Sequence, residues 1–363
     1  MPAKQLSSLE NSIDLLSPFG LVCETGVYLM VSIKDIAAKV GLSPSSVSRI
    51  LNGKQNINSE KRDYIKKVAR DLGYVPNRAA RSMVMKKTFT VGIVIPDMFN
   101  MFQRQLFSII EHQLEYSGYH TLFFFVKNRS SSEEECLNKI KGELLDGLIL
   151  LHEIRNQKFY EYCNNAHIPT VLSTFTMPNL DFPSIHVHEE VAAYEAMLHL
   201  INLGHHSIAM INCKTFSFGK QRAEGFFKAL EEINIPRDLS IVSWAKSYSS
   251  EAGLYATREL LLRRKDFTAI FAATDELAIG AIRALQDAGI RVPQDVSVVG
   301  FDDIEIASYY CPRLTTIRQP LQDMGERTAS LLHHSINNDE LEQKYVILPH
   351  ELIIRESTKQ CIV

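Results

Sequence analysis

The chain has 363 residues, of which 45% are hydrophobic and 22% charged, and its formal net charge is −3 at pH 7. This length and balance predict a globular protein of two or three domains with a substantial core. No run approaches the roughly 18 apolar residues of a membrane helix, so we expect no membrane partner. The six cysteines are scattered without a C-x-x-C pair, which predicts reduced thiols in a cytoplasmic protein rather than disulfides or a zinc site.

The segment 32–51 carries two short helical patterns with a tight break between them. Ser32 followed by Asp35 matches a Ser-x-x-Asp helix start, after which apolar residues recur at helical spacing. Gly41 ends this pattern, and the following Ser-Pro pair begins the second as N-cap and first helical residue. The pattern predicts a helix-turn-helix, whose second helix enters the DNA major groove. An ordinary helical hairpin in a core is the alternative.

A third helix is predicted from Ser59 to Gly73, with inward positions at Tyr64, Ile65, Val68, Ala69 and Leu72. Between residues 32 and 87 there are thirteen Lys and Arg against four Asp and Glu, a net charge of +9. A basic block of this size on a three-helix module is the electrostatic signature of a DNA-binding protein. It favours the helix-turn-helix over the hairpin.

After a short basic linker, the pattern changes at Phe89 to buried strands that alternate with amphipathic helices. This alternation predicts parallel sheets with helices on both faces. The strands are expected at 90–96, 121–126, 147–151, 168–173, 207–212, 240–244, 268–273 and 297–301, with two more near Val346 and Leu352.

Three stretches together carry a family resemblance: SIKDIAAKVGLSPSSVSRILNGK, then LGYVPNRAARSM, then TVGIVIPD. In this order they resemble the lactose/galactose repressor family of bacterial transcription factors, and the resemblance continues to Thr358. It implies a small all-α helix-turn-helix headpiece and an α/β core of two parallel-sheet lobes, similar to the periplasmic sugar-binding proteins. In that fold a ligand sits between the lobes, and hinge closure responds to it.

The resemblance also implies the division of the chain. The headpiece would occupy 30–75, the hinge helix and linker 76–88, and the effector-binding and dimerisation domain 89–358. The chain would cross between lobes near Ser184, Thr316 and Asn338. The resulting lobe 1 comprises 89–184 and 317–337, and lobe 2 comprises 186–315 and 340–358.

The first residues need a separate interpretation. Family members begin a residue or two before the first helix, as Met30-Val31-Ser32 does here. We therefore expect residues 1–29 to be a disordered extension or an upstream misannotation. Their weak periodicity, single basic residue and lack of an extended apolar centre do not match a secretory signal peptide.

On DNA, the family makes its base contacts from the start of the recognition helix, where this chain has Pro44, Ser45 and Arg49. Pro44 offers only apolar contact, whereas Arg49 is able to bond bidentately to guanine, with a phosphate contact as the alternative. The RAARSM segment resembles the family's hinge helix, which inserts an apolar wedge into the minor groove. Met83 takes the place of the usual Leu, with Ala80 beside it; a linker turn packed on the core is the alternative.

The resemblance further implies six effector-binding positions. Arg222, three residues before Gly225, is expected to grip the ligand, and Tyr248 to stack on it. Asp302 ends a strand at the edge where open α/β sheets bind ligands, and its carboxylate suits sugar hydroxyls. The remaining positions are Asn100, Phe102 and Asp275. The alternative for each residue is a place in the cleft wall without ligand contact.

The chain departs from the family's usual residues at Gln103, Thr274 and the pair His188-Glu189. We therefore expect an effector other than lactose or galactose. A carbohydrate is the main hypothesis, and a purine or phosphometabolite corepressor is the alternative. Because His186, His188 and Glu189 have no further ligand cluster beside them, they do not predict a metal site.

No catalytic motif is present, neither G-x-S-x-G nor a phosphate-binding Gly-rich loop, so we expect neither an enzyme nor a cofactor. A solute-binding protein is a further alternative, but it would need a secretory signal and would lack a basic helix-turn-helix. The sequence thus predicts a cytoplasmic, homodimeric repressor that binds a pseudo-palindromic DNA operator and responds to a small molecule.

Overall fold

The computed structural model describes residues 31–51, 58–74, 87–96, 100–127, 131–177, 179–214, 216–238, 241–264 and 266–361, with Ser82, Met85 and three short strands near the N-terminus. These strands (β1–β3) pair antiparallel in chain order and comprise Leu16–Ser17, Gly20–Val22 and Tyr28–Leu29. Seven positions of the segment that we expect to be a disordered extension or an upstream misannotation are therefore strand. The chain forms two compact units, residues 1–86 and 87–363.

The described part of the first unit contains three helices, α1 Ile33–Val40, α2 Pro44–Leu51 and α3 Ser59–Asp71. The Asp35 carboxylate accepts from both the backbone N–H and the hydroxyl of Ser32, at 2.8 and 2.7 Å. Gly41 ends α1 in the left-handed region, at φ 64°, which a residue without Cβ adopts readily. Local chemistry thus begins and ends these helices where the sequence predicts.

Apolar side chains from all three helices form one small core: Ile36, Ala37, Val47, Ile50, Ile65, Val68 and Ala69. The third helix begins at Ser59, as predicted, and differs from its prediction at one apolar position, Tyr64. Asn58 is its N-cap, since its side chain accepts from the amide of Glu60 at 3.1 Å. Tyr64 is 56% exposed, because the inward stripe of α3 begins one residue later, at Ile65.

The second unit contains two six-stranded sheets. The first has the order β14-β8-β7-β6-β4-β5, and all its neighbours are parallel. Its strands in chain order are β4 Thr90–Pro96, β5 His120–Val126, β6 Gly147–Leu150, β7 Thr170–Ser173, β8 Ser184–Val187 and β14 Tyr345–Leu348. The near-continuous apolar sequence of β4 reflects burial on both faces of a parallel sheet.

The second sheet has the order β10-β9-β11-β12-β13-β15 and is parallel except at its last strand, which pairs antiparallel with β13. Its strands are β9 Ile208–Cys213, β10 Val242–Ala245, β11 Ala269–Ala272, β12 Ser297–Asp302, β13 Thr315–Arg318 and β15 Glu351–Ile353. The prediction of two parallel-sheet lobes is confirmed, with one antiparallel edge.

Helices cover both sheets. Those of the first lobe are α4 Met101–Tyr116, α5 Ser132–Lys141, α6 Gln157–Asn165 and α11 Leu321–Asn337. Those of the second are α7 Glu189–Asn202, α8 Ser217–Glu232, α9 Ser250–Arg263 and α10 Asp275–Asp287, with a 3₁₀ turn at Glu305–Ser308. In the part of the chain that the structure describes, no helix combines the length and apolarity needed to cross a membrane.

The lobe boundaries differ from the prediction, most clearly at the third crossing. Strand β14 pairs with β8 in the first sheet, Val346 opposite Ile185, so the residues of β14 do not belong to the second lobe as predicted. The chain crosses near His188, near Gln319 and between β14 and β15, rather than near residues 184, 316 and 338. A short exposed strand carries too little sequence pattern to reveal which sheet it joins.

Candidate functional site

The start of the second headpiece helix is open to solvent. Pro44, Ser45 and Arg49 are all exposed, and Ser45 and Arg49 share one helical face because they lie four residues apart. The Ser43 hydroxyl accepts from the amide of Ser46 at 3.2 Å and so caps the helix. The Ser45 hydroxyl lies 3.0 Å from that of Ser43, within hydrogen-bond distance, and all three predicted base-contacting side chains are accessible to an external partner. The two predicted wedge residues, Ala80 and Met83, lie outside the described residues.

A small cavity lies between the two lobes, at the carboxyl ends of the parallel strands. Both lobes contribute to its wall, as does Gln319 in the crossing between β13 and α11. The lining residues are Asn100, Phe102, Gln103, Thr174, Glu189, Phe218, Arg222, Thr274, Asp302 and Gln319. Four of the six predicted effector residues are among them: Asn100, Phe102, Arg222 and Asp302.

A buried ion cluster dominates this wall. Arg222 is 2% exposed, and its Nε donates to Glu189 Oε2 at 2.6 Å. Its Nη2 lies 3.5 Å from Asp302 Oδ1, and its Nη1 donates to the carbonyl of Ala273. The guanidinium also lies against the ring of Phe301, 3.5 Å from its centroid. Arg222 is therefore held firmly, with most of its donors engaged by the protein.

The approach of two helices brings Arg222 to Glu189. Arg222 lies on α8 and Glu189 is the first residue of α7, and the two helices pack together. At Gly225 a Cβ atom would clash with the carbonyl of Glu190 and lie 2.9 Å from the amide of Tyr194. The spacing between Arg222 and Gly225 thus has a physical reason, because glycine permits the contact of helices that places the guanidinium on its carboxylate.

Burial controls the charge state of the cluster. It raises the pKa of Asp302 to about 7, against the lowering effect of nearby Arg222. Burial also works to lower the pKa of Arg222, but the charges of Glu189 and Asp302 outweigh it, and the net shift is upward. The cluster holds one cation and two carboxyl groups, so it has one net negative charge when both are ionised. Acceptors outnumber free donors in this wall.

Gln319 adds another acceptor. Its Nε2 donates to Asp302 Oδ1 at 2.8 Å, while its Oε1 is buried without a hydrogen-bond partner in the described structure. A buried acceptor of this kind costs free energy unless a donor reaches it. A ligand hydroxyl in the cavity would satisfy it.

Tyr248 lies behind the cavity wall instead of in it. Its ring packs on Phe218 at 4.8 Å between centroids, and its hydroxyl donates to the carbonyl of Cys213 at 2.8 Å. Phe218 reaches the cavity in its place, while the stack Phe216–Phe218–Tyr248 supports it from behind. The predicted ligand-stacking role therefore fits Phe218 better than Tyr248.

The structure also places Asp275 off the cavity wall. Asp275 is fully buried, and its oxygens accept from Thr316 Oγ1 at 2.5 Å and from the amide of Ile304 at 2.9 Å. These bonds hold the turn after β12, where Asp302 and Asp303 both adopt positive φ, 117° and 53°. Such backbone is strained for residues other than glycine and needs outside support. Asp275 thus positions Asp302, and its neighbour Thr274 lines the cavity.

Three further wall residues, Gln103, Glu189 and Thr274, are positions where the sequence departs from the family, whereas Thr174, Phe218 and Gln319 are not predicted from the sequence. In the sequence, Glu189 is a departure from the family and belongs to a triplet that does not predict a metal site. Its engagement by Arg222 explains it, and no group of three possible metal ligands occurs among the residues that the structure describes. The sequence gives no signal for this pairing, because the burial of Arg222, which would make an unpaired guanidinium very costly, is seen only in the structure.

Comparison with known proteins agrees with both units. Residues 32–77 match the model of bacterial regulatory proteins of the lacI family, and residues 197–358 match a periplasmic binding protein-like domain. Among curated relatives, the catabolite control protein A of Priestia megaterium is 33% identical over 333 residues, 91% of this chain and 99% of the relative. The HTH-type transcriptional regulator RegA of Clostridium saccharobutylicum is 32% identical over 91% of this chain and its own full length.

Solved structures give the same result. The lac repressor dimer bound to operator and the anti-inducer ONPF has a TM-score of 0.80 and 25% identity, over 91% of this chain and all of the other. A complex of the transcriptional regulator CelR with cellobiose has a TM-score of 0.68 and 28% identity, over 90% of this chain and 99% of the other. With relatives above 30% identity over nearly its whole length, the chain belongs to the lacI family of bacterial regulatory proteins.

Proposed function

We propose that this regulator is a repressor that binds a pseudo-palindromic operator as a homodimer and responds to an uncharged carbohydrate in the cavity between its lobes. Ligand binding would change the angle between the lobes, alter the dimer and fold or melt the hinge segment. Action on chromosomal DNA implies a cytoplasmic location. The function requires binding at two sites and no catalytic step.

The DNA half of the proposal rests on the exposed start of α2. Arg49 has a free guanidinium for guanine, Ser45 is a short polar neighbour on the same face, and Pro44 offers an apolar surface for a thymine methyl. The surrounding positive charge, +9 between residues 32 and 87, supplies the phosphate contacts that every sequence shares. In a dimer, one such helix would read each half-site.

The buried cluster of Arg222, Glu189 and Asp302 is the observation that carries the effector half. Its carboxylates and the orphan oxygen of Gln319 require donors, which sugar hydroxyls supply. Arg222 has its donors largely occupied, so it leaves little for a phosphate or carboxylate group. When Asp302 is ionised, the wall carries a net negative charge, which disfavours an anionic ligand further. The same charge argues against a phosphometabolite, and a purine remains the second candidate only through its N–H donors.

An aromatic surface completes the fit. Phe102 of the first lobe and Phe218 of the second both line the cavity, and a sugar ring has apolar faces that pack on such rings. Because the two rings come from opposite lobes, a ligand between them would hold the cleft closed. The similarity to a regulator solved with cellobiose supports the same class of ligand.

An exposed apolar edge supports the homodimer. β5 is the outer strand of the first sheet, and its Leu122, Phe123 and Phe125 are 37%, 42% and 46% exposed. Natural proteins rarely leave a long apolar edge strand uncovered. A second copy of the chain would cover it. Replacing Phe123 with Lys is expected to shift the protein towards monomer in sedimentation velocity and to weaken operator binding with it.

The whole proposal is tested by selecting operators from a random DNA pool with the full chain. The selected operator is then titrated in the presence of neutral sugars, sugar phosphates and purines. We expect a palindromic consensus and a response to at least one neutral sugar, accompanied by a change in the fluorescence of Trp244, the single tryptophan. Selection without any consensus would refute the DNA function. A response confined to sugar phosphates or purines would refute the ligand class alone.

A further inference from the structure

Two hydrogen bonds cross the cleft outside the ion cluster. Glu153, in the loop after β6 of the first lobe, accepts from the amide of Ser217, the first residue of α8 in the second lobe, at 2.9 Å. In the opposite sense, Glu276 in the first turn of α10 accepts from the amide of Met101, the first residue of α4 in the first lobe, at 2.8 Å. Each lobe thus gives a carboxylate to the start of a helix of the other lobe.

Both helix starts lack an acidic residue of their own. The first four amides of a helix have no partner within it, and its positive end favours a nearby anion. The first turns of α4 and α8 contain no Asp or Glu, and Phe216, the N-cap of α8, offers no side-chain bond. The carboxylates from the opposite lobe therefore provide the complementary charge that each helix lacks.

The bonds lie at the rim of the cavity. Met101 is between the wall residues Asn100 and Phe102, and Ser217 precedes the wall residue Phe218. Beside Glu153, the ring of His152 meets Phe216 of the second lobe edge-on, with 5.3 Å between centroids. Every one of these contacts joins one lobe to the other directly, so none of them requires a ligand.

We propose that Glu153 and Glu276 form a clasp that holds the two lobes closed in the absence of an effector. The inference deepens the proposed function, because the same lobe angle would be the one that an effector changes. The clasp sets the equilibrium between the open and the closed cleft in the absence of effector. An effector acts either by stabilising the closed cleft further or by competing with the bonds of the clasp. The clasp can be tested independently of both ligands.

The surroundings of the clasp carry further charges. Arg104 lies near Glu276, and burial raises the pKa of Glu276 while the Met101 amide and Arg104 oppose the rise. Glu133, Glu153 and Arg155 lie near His152. Glu133 also accepts from the amides of Arg155 and Asn156, at 3.0 and 2.7 Å, but all three residues belong to the first lobe. It therefore provides a matched control within one lobe.

The test is hydrogen exchange at single-residue resolution on the full chain, without DNA or effector. Glu153→Ala is expected to speed exchange about tenfold at Ser217 and also at Met101, since opening one side of a rigid clasp weakens the other. Glu276→Ala should produce the same pair of changes. Glu133→Ala should speed exchange only at residues 155 and 156.

A change in exchange confined to the amide that loses its own carboxylate would refute the clasp. If Glu153→Ala affects Ser217 alone, the carboxylate is an isolated helix cap and the lobes do not close as a unit. If neither amide is protected in the wild type, the cleft is open at rest. Glu153→Gln and Glu276→Gln keep an acceptor without the charge and serve if either alanine variant fails to fold. Failure of the proposed function would instead appear as missing operator selection, with the exchange pattern unaffected.

Discussion

Replacing Arg222 with Met tests whether the ion cluster is held as the structure indicates. Met keeps much of the side-chain volume but removes the cation, which leaves Glu189 and Asp302 buried together. Breaking a buried ion pair on one side costs about 3–5 kcal/mol of unfolding free energy. For a core of this size we expect a fall in Tm of about 2 °C per kcal/mol, or about 6–10 °C.

The cost should depend on pH. Burial raises the pKa of Asp302 to about 7 with Arg222 present, and loss of the cation raises that pKa further. In the folded variant, Asp302 then takes up its proton at a higher pH than in the wild type, whereas in the unfolded chain it does so only near pH 4. A fall in pH therefore stabilises the variant relative to the wild type. The deficit should shrink by about 1.4 kcal/mol, the value of one pKa unit, between pH 8 and pH 5.5.

Urea unfolding followed by the fluorescence of Trp244 measures both effects. This residue lies in β10 of the second sheet, with the Lys214 amine 4.4 Å from its ring centroid. Arg291→Ala, which removes an exposed arginine paired with Asp295, is the control and should leave the midpoint unchanged. A loss below about 1 kcal/mol for Arg222→Met, or one equal at both pH values, would refute the reasoning.

Four further outcomes are expected. Arg49→Ala should weaken operator binding by about 1–3 kcal/mol and relax preference at one symmetric position, checked by binding-site selection; uniform weakening would make it a phosphate contact. Met83→Gly should reduce the operator bend without affecting the effector, and equal bending in circular-permutation gel shifts would exclude a wedge. Asp302→Asn should lower effector sensitivity about tenfold or more in operator titrations while basal binding persists. Burial lowers the pKa of His152 to about 4 from 6.5, so stability attributable to it should be lost as pH falls through that window, and His152→Gln should flatten this part of the profile.

The headpiece could be predicted closely because its signals are local. Capping by Ser32 and Asp35, the left-handed turn at Gly41 and the restart at Ser43 each act within a few residues. Strand and helix alternation in the core is a pattern of the same kind. The third lobe crossing was not predictable in this way, because the sheet that β14 joins is decided by a partner about 160 residues earlier in the chain.

The residues of the cavity wall were predicted only in part, because local patterns place some of them and long-range packing places the others. Asp302 ends β12, and Arg222 lies in the second turn of the helix that follows β9, so the carboxyl edge of one parallel sheet brings them together and both line the wall. Whether an aromatic ring reaches the cavity depends on side-chain layers, and Phe218 covers Tyr248. Asp275 carries the same chemistry as Asp302, yet its partners Thr316 and Ile304 direct it into the core. Residue type alone does not distinguish these two carboxylates.

The pairing of Arg222 with Glu189 has a consequence for how effector choice evolves. Glu189 both occupies the Nε donor and supplies the extra negative charge of the wall. A change to Gln at this position would bring the net charge of the cluster to zero and weaken the hold on the guanidinium. The helix contact at Gly225 would stay intact. A single substitution, Glu189→Gln, would thus convert a wall suited to neutral ligands into one able to accept an anion. Duplicated copies of the gene could then diverge in effector without first changing the operator that the protein recognises.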